Sequence, residues 1–523
     1  MSLAALIPAV PAAPLAARLT RVERLLFGFT VVAAASIMWL APRPPMGDLA
    51  QHAGQVALWR DLLLGQTPFA EFVHINLLTP YLIGYGLLLP LSFVFEMATT
   101  AKIILTLAFL GFVGASMLMR RALGADQRLD WLFLISFFGF AWKWGFLTFL
   151  VASPFALLAL LLALRHARSP TGRNAAYLVL AGMGLLFCHG LLFLAVALFG
   201  GLMALQQAIA CKGGAWPARL APYAFLGLVL VLFRLATQQL DGAMQNEDFR
   251  YGIEIWLRPI VSIISVSDMD NMGGIWLPLA TAVALFAPFY LGVQANRGPA
   301  VWLLAALVAL LFVLPMQAFQ TGLIYQRFTL LLPAFIAFAF RAKDTGPSGA
   351  RWRWAGTAVL ILACWTVLAI QASRVAAFAE EGRSFETVLK AAKPGQRALA
   401  MAFDPESPAA SNGILYMHYA SWYQADKHGF VDFNIADFHP QVVRFKPGKS
   451  PGINQLFGWN PAKYAFSGLD MTIYTYFFVR GSSGQVGKLK RSSPCNVQTL
   501  AEDHEWYLLE QSECRVKWPV PQN

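Results

Sequence analysis

Charge is scarce in this chain. Asp, Glu, Lys and Arg make up 13% of the 523 residues while apolar residues reach 57%, and mean hydropathy is +0.54. A soluble globule needs a charged exterior, so this composition excludes one for most of the chain and points to lipid as the solvent. Cysteine is equally sparse, five in all, with no CxxC or CxxC…H spacing, which excludes a zinc finger or dithiol redox centre. Missing too are GxSxG, HExxH, a P-loop, and GxGxxG in a βαβ setting, so the serine hydrolase, zincin, NTPase and Rossmann readings fall away. No internal repeat of solenoid or propeller period occurs.

What is present is a series of apolar runs. A helix needs about 20 apolar residues to cross the hydrocarbon core, fewer where several helices pack together. The runs predict spans at 25–40, 103–119, 131–142, 146–164, 175–188, 191–205, 222–235, 275–293, 300–314, 328–340 and 355–372, about eleven in all. The Ala- and Pro-rich start, residues 1–20, lacks a small-residue cleavage site after an apolar run, so the first span is expected to stay. A net charge of +12 follows from positive-inside bias and needs no nucleic-acid partner. Arg18, Arg21 and Arg24, then Arg120, Arg121 and Arg128, then Arg165, Arg168 and Arg173, then Lys212 and Arg219, then Arg297, and finally Arg341, Lys343, Arg351 and Arg353 mark alternate loops as cytoplasmic. This parity holds if 77–95, interrupted by Pro80, Gly84, Gly86 and Pro90, is a re-entrant segment.

The opposite face then carries loop 41–76 and everything after Ala372. The expected organisation is a transmembrane domain at 1–372 and a soluble extracytoplasmic α/β domain at 373–523. Within the latter, 385–390 predicts an amphipathic helix stopped by Lys393-Pro394-Gly395, and 397–402 a short buried strand. Cys495 and Cys514 both fall there, where a disulfide can form if the domain lies outside the cytoplasm.

The most informative stretch is Met46-Gly47-Asp48-Leu49-Ala50-Gln51-His52-Ala53-Gly54-Gln55-Val56-Ala57-Leu58-Trp59-Arg60, following the first span. Its spacing predicts an amphipathic helix, with Leu49, Ala53, Val56 and Leu63 on one face and Asp48, His52, Gln55 and Trp59 on another. Asp48 either presents a carboxylate to a cavity at the lipid–water boundary or simply caps the helix. Asp48 and His52 at i, i+4 supply only two ligands, so no protein-built metal site is expected.

An inside N-terminus, an Asp-bearing outer loop with a helix, some ten further spans and a soluble outer tail together resemble the C-type (GT-C) membrane glycosyltransferases. The resemblance implies an enzyme of the bacterial inner membrane that moves a sugar from a polyprenyl-phosphate carrier to an extracytoplasmic glycan, lipid or protein acceptor, by an inverting route. It implies that Asp48 is the base. The paired acidic residues of many members are missing, since Leu49 follows Asp48. A divalent metal, Mg or Mn, is left open.

Sugar transfer also needs cations for the departing phosphate. Candidates on the outer side are Lys143 between Trp142 and Trp144, Arg250, Arg258 and Arg327. Lys143 and Arg258 are equally readable as interfacial anchors, whereas Arg327 runs against the charge bias of its face. Glu71 with His74 forms a second polar pair suited to the acceptor or to an ordinary loop hydrogen bond, and His189 sits at an outer helix turn. His418, Trp422, Tyr423, Asp426, His428, Asp432, Asp437 and His439 group in the tail, fit either for sugar recognition or for an aromatic core. Two other classes remain compatible with the chain: a secondary transporter, and a non-catalytic subunit of an envelope polysaccharide assembly machine.

Overall fold

The computed structural model describes residues 19–211, 216–238, 250–268, 274–296, 298–318, 321–343, 350–410, 413–438, 440–451, 461, 471–493 and 495–513. Arg18, Lys212, Arg297, His439 and Cys514 lie outside the described residues.

Six helices among the described residues are long and apolar enough to cross a membrane: Arg21–Trp39, Met97–Leu123, Leu147–Arg168, Gly190–Ala210, Trp216–Thr237 and Trp354–Ala391. They coincide with six of the expected spans and make the chain a multi-pass membrane protein. The other five expected spans are shorter or irregular. Gly172–Cys188 and Pro299–Val313 are regular helices of 17 and 15 residues. The run at 275–293 breaks into Trp276–Leu285 and Ala287–Tyr290 around Pro288, and the run at 328–340 into a 3-10 turn and Leu332–Phe338 around Pro333; proline withholds the N–H that would continue each ladder.

The reading of 131–142 as a helical span is corrected. Gln127–Leu134 is 3-10 helix and a single turn, Phe140–Lys143, follows. Twelve residues of α-helix would reach only about 18 Å, against a core of about 30 Å. The segment is instead fastened inside protein: Arg120 grips Asp130 through two bonds of 2.8 and 3.0 Å, and Arg128 pairs with Asp126 at 2.7 Å. Those pairs neutralise charge locally, and irregular backbone is tolerated at membrane depth where protein covers it.

The chain divides into two compact units, and the division is not the linear one at 372. One holds residues 1–37, 105–142 and 148–372; the other holds 38–104, 143–147 and 373–523. The second unit is built on a five-stranded sheet. Its order runs Asn496–Asp503, Trp506–Ser512, Tyr476–Arg480, Arg397–Ala402, Phe430–Asp432. Arg397–Ala402 is parallel to both neighbours and Tyr476–Arg480 antiparallel to Trp506–Ser512. The strand expected at 397–402 is present with those bounds, and the expected amphipathic helix is Arg383–Ala391. One face of the sheet packs Leu399, Met401, Phe477, Val479, Val486, Leu489 and Leu509 into a core. The broken run at 77–95 belongs to this unit as two short helices, Leu82–Gly86 and Leu89–Ser92.

Candidate active site

The informative stretch of the sequence folds as the helix Leu49–Leu63. It is not amphipathic, contrary to the expectation from its spacing: the polar Gln51, His52 and Gln55 are as buried as Leu49, Ala53 and Val56. The polar face meets partners from the distant tail instead of water. Gln55 accepts from Val443 N at 3.0 Å and Gln424 Nε2 donates to Gly54 O at 2.9 Å. His52 Nδ1 lies 2.6 Å from the Tyr85 hydroxyl, which donates to Gln441 Oε1 at 2.5 Å. Because that hydroxyl has one proton, it accepts from His52, whose Nδ1 is therefore protonated. Ion pairs hold both ends. Arg43 donates to both oxygens of Glu386 and to Asp426 while stacked 4.6 Å over Trp422. Asp61 takes Arg60 at 3.0 Å and His428 at 2.7 Å.

Asp48 stands at the N-terminus of this helix but does not cap it. Its backbone is already helical (φ −92°, ψ −2°) and its side chain makes no capping bond, whereas a cap needs extended backbone to swing the side chain over the first turn. The reason lies in the turn at 143–145. Gly47 N donates to Lys143 O at 2.8 Å and Asp48 N to Trp144 O at 3.1 Å. Gly145 has φ +80°, and a Cβ there would come within 2.5 Å of Asp48 N, so glycine is required for this approach. The half-buried Lys143 thus sits on the turn that clamps Asp48.

With the capping role removed, the carboxylate of Asp48 is directed to His418, Oδ1 to Nε2 at 3.6 Å, and it keeps about a third of its side-chain surface open (32%). His418 Nδ1 faces Gln51 Nε2 at 3.0 Å. The same Gln51 nitrogen donates to Phe433 O at 2.7 Å, and Gln51 Oε1 accepts from Ile435 N at 3.0 Å. These two backbone partners fix which end of the amide is which, so Nδ1 of His418 must accept and its proton must sit on Nε2, toward Asp48. Burial pushes the imidazole pKa down to about 4, keeping it neutral at physiological pH. The ring stacks on Phe433 at 4.9 Å.

The structure therefore brings together Asp48, His52 and Lys143 from the sequence candidates. Glu71 and His74 share their unit. Glu71 ends a 3-10 turn and is exposed, and His74 lies on a short strand opposite Arg444; burial, then Arg444 and Lys446, lower its pKa. Arg250, Arg258 and Arg327 belong to the other unit. Arg258 is buried there, with its guanidinium on the carbonyls of Leu311, Phe312, Leu314 and Tyr251 and stacked 4.5 Å over Tyr325. It caps the helix Pro299–Val313 from its C-terminal end, which is neither an interfacial anchor nor a fork held open for phosphate. Arg250 bridges Gln317 through backbone, and Arg327 donates to Gly322 O at 2.9 Å. His189 is buried at a helix junction against Phe149 rather than facing solvent.

Of the described members of the tail cluster, His418 is the one paired with Asp48; Asp426 joins Arg43 and His428 joins Asp61, both outside the tail, and Asp432 joins Arg397 within it, each at 2.7 Å. Sequence reasoning missed Gln51, Tyr85, Gln441 and Arg43. Gln51 was visible as an amide one turn from Asp48, but its partners lie more than 360 residues away, about two-thirds of the chain. Among the described residues no group of three or more His, Cys, Asp or Glu could hold a metal. Asp48 and His418 offer two donors at most, and the histidine nitrogen toward Asp48 carries a proton, so the pair does not fit a divalent cation as it stands.

No family model matches the chain, and no curated protein matches it. Among solved structures, that of ArnT from Cupriavidus metallidurans bound to undecaprenyl phosphate is similar over 94% of this chain and 98% of its own, at 12% identity and a TM-score of 0.45.

Proposed function

We propose that this protein is a membrane glycosyltransferase that moves a sugar from a polyprenyl-phosphate carrier to a hydroxyl-bearing acceptor on the outer side of the bacterial inner membrane, with Asp48 as the base. The observation that carries this reading is that Asp48 is released from capping, partly open, and backed by a neutral histidine. In the reaction Asp48 takes the proton of the acceptor hydroxyl as its oxygen bonds to the anomeric carbon. The bond from that carbon to the phosphate oxygen breaks, its electron pair leaves with polyprenyl phosphate, and the configuration inverts. Lys143 lies on the Asp48 turn and would offset the phosphate charge. Cys495 is disulfide-bonded while Cys188, Cys211 and Cys364 are free, which supports a periplasmic site for 373–523, because disulfides persist in oxidising compartments.

The test is release of free polyprenyl phosphate from synthetic polyprenyl-phosphate hexoses and pentoses by the purified chain supplied with envelope extract. Asp48→Asn should lower that release by at least about 10²-fold with melting temperature unchanged. Undiminished turnover would remove Asp48 from the mechanism, and flux of an intact solute into proteoliposomes without released carrier would favour a transporter.

A further inference from the structure

We infer that Gln51, His418 and Phe433 form a positioning device that presents one fixed, neutral N–H donor beside the Asp48 carboxylate, so that the acceptor is selected as an uncharged hydroxyl. The inference rests on the glycosyl-transfer reading and specifies its acceptor side.

Three observations converge. The Gln51 amide is oriented by Phe433 O and Ile435 N, which leaves His418 a single tautomer. Phe433 supplies both the carbonyl that orients Gln51 and the ring under His418, and it does so at φ +66°. A bulky residue in the left-handed region is strained and persists only where surrounding contacts impose it. Finally, the 3.6 Å from Nε2 to Oδ1 exceeds a hydrogen bond.

An entering hydroxyl completes what that spacing leaves incomplete. Its proton goes to Asp48 and its oxygen lone pair accepts from His418 Nε2. A hydroxyl can donate and accept at once; an ammonium group has no lone pair for the imidazole N–H. His418 stays neutral throughout, so it neither gives nor takes a proton in the transfer. It fixes the nucleophile's oxygen, and its pKa of about 4 is consistent with that passive part.

The experiment pairs spectroscopy with turnover on the full-length protein in detergent. With ¹⁵N-labelled histidine, and the His418 ring assigned by its disappearance in His418→Phe, Nε2 should be protonated and Nδ1 bare from about pH 5.5 to 8. A proton on Nδ1, or titration within that window, overturns the inference. In the polyprenyl-phosphate sugar assay, His418→Phe keeps the stack on Phe433 but loses the donor, and should lower turnover roughly 10- to 100-fold without raising the KM for the carrier. His418→Gln, whose amide nitrogen can reach the Nε2 position, should regain most of that loss. Equal impairment of both variants, or none in either, overturns the positioning role while an inactive Asp48→Asn leaves the transferase reading standing. A fully active Asp48→Asn overturns both.

Discussion

At the scale of the residue, burial writes a pH dependence into the fold. His418 has a pKa of about 4 in the folded chain and about 6.5 when unfolded. Between those values the unfolded chain binds more protons, so the contribution is complete above about pH 6.5 and is lost as pH falls toward 4, amounting to roughly 3 kcal/mol at most. Asp432 acts with the opposite sign. Burial, opposed by Arg397, raises its carboxyl to about 6, so the folded chain holds the extra proton and stability from this group declines as pH rises toward 6. A thermal melt of the native chain alone mixes the two. Comparing it with His418→Phe separates them: the variant's melting temperature is expected to fall less between pH 7 and 4.5, and parallel curves would show that His418 does not carry the linkage. Asp48 itself was legible in the sequence as a carboxylate at a helix start. Whether it caps the helix or stays open was not, because that depends on the Gly145 turn.

At the scale of the element, the helix Leu49–Leu63 shows why periodicity succeeded in finding a helix and failed in describing its environment. A stripe of Gln51, His52 and Gln55 reads as solvent-facing because polar side chains usually meet water. Here Val443 N, Asn434 and Tyr85 replace water. The strand Arg397–Ala402 was readable since five of its six residues are buried and apolar, a pattern complete within six positions. The segment 131–142 was misread because its apolar run conceals ion pairs seated just before it, at Asp126, Arg128 and Asp130. Two substitutions test the element. Gln55→Leu leaves the Val443 N–H without its partner and should cost about 1–3 kcal/mol, read as a lower melting temperature. Gly145→Ala forces a Cβ toward Asp48 N and should lower both melting temperature and carrier release; a wild-type Gly145→Ala would refute the clamp on Asp48.

At the scale of the whole molecule, hydropathy conveyed the membrane class and six crossings, since each is a local run of sufficient length. It did not convey the second unit, assembled from residues 38–104, 143–147 and 373–523, because no local pattern encodes which separated segments pack together. The proposed periplasmic placement of 373–523 has a direct check. Glu406 is exposed, and a Glu406→Cys variant in a Cys211→Ser background should react with a membrane-impermeant maleimide added to intact spheroplasts. Labelling only after lysis would invert the topology.

The chain order of that second unit also sets a clock. Val443 N bonds Gln55 across 388 residues, so a ribosome releasing about 5–20 residues per second finishes the helix bearing the acid roughly 20–80 s before it makes the residues that enclose it. During that interval Asp48 lacks His418, and Gln51 lacks the Phe433 and Ile435 backbone groups that orient it. A prematurely terminated product therefore carries the helix Leu49–Leu63 with its buried amides Gln51 and Gln55 stripped of the backbone partners that the tail supplies.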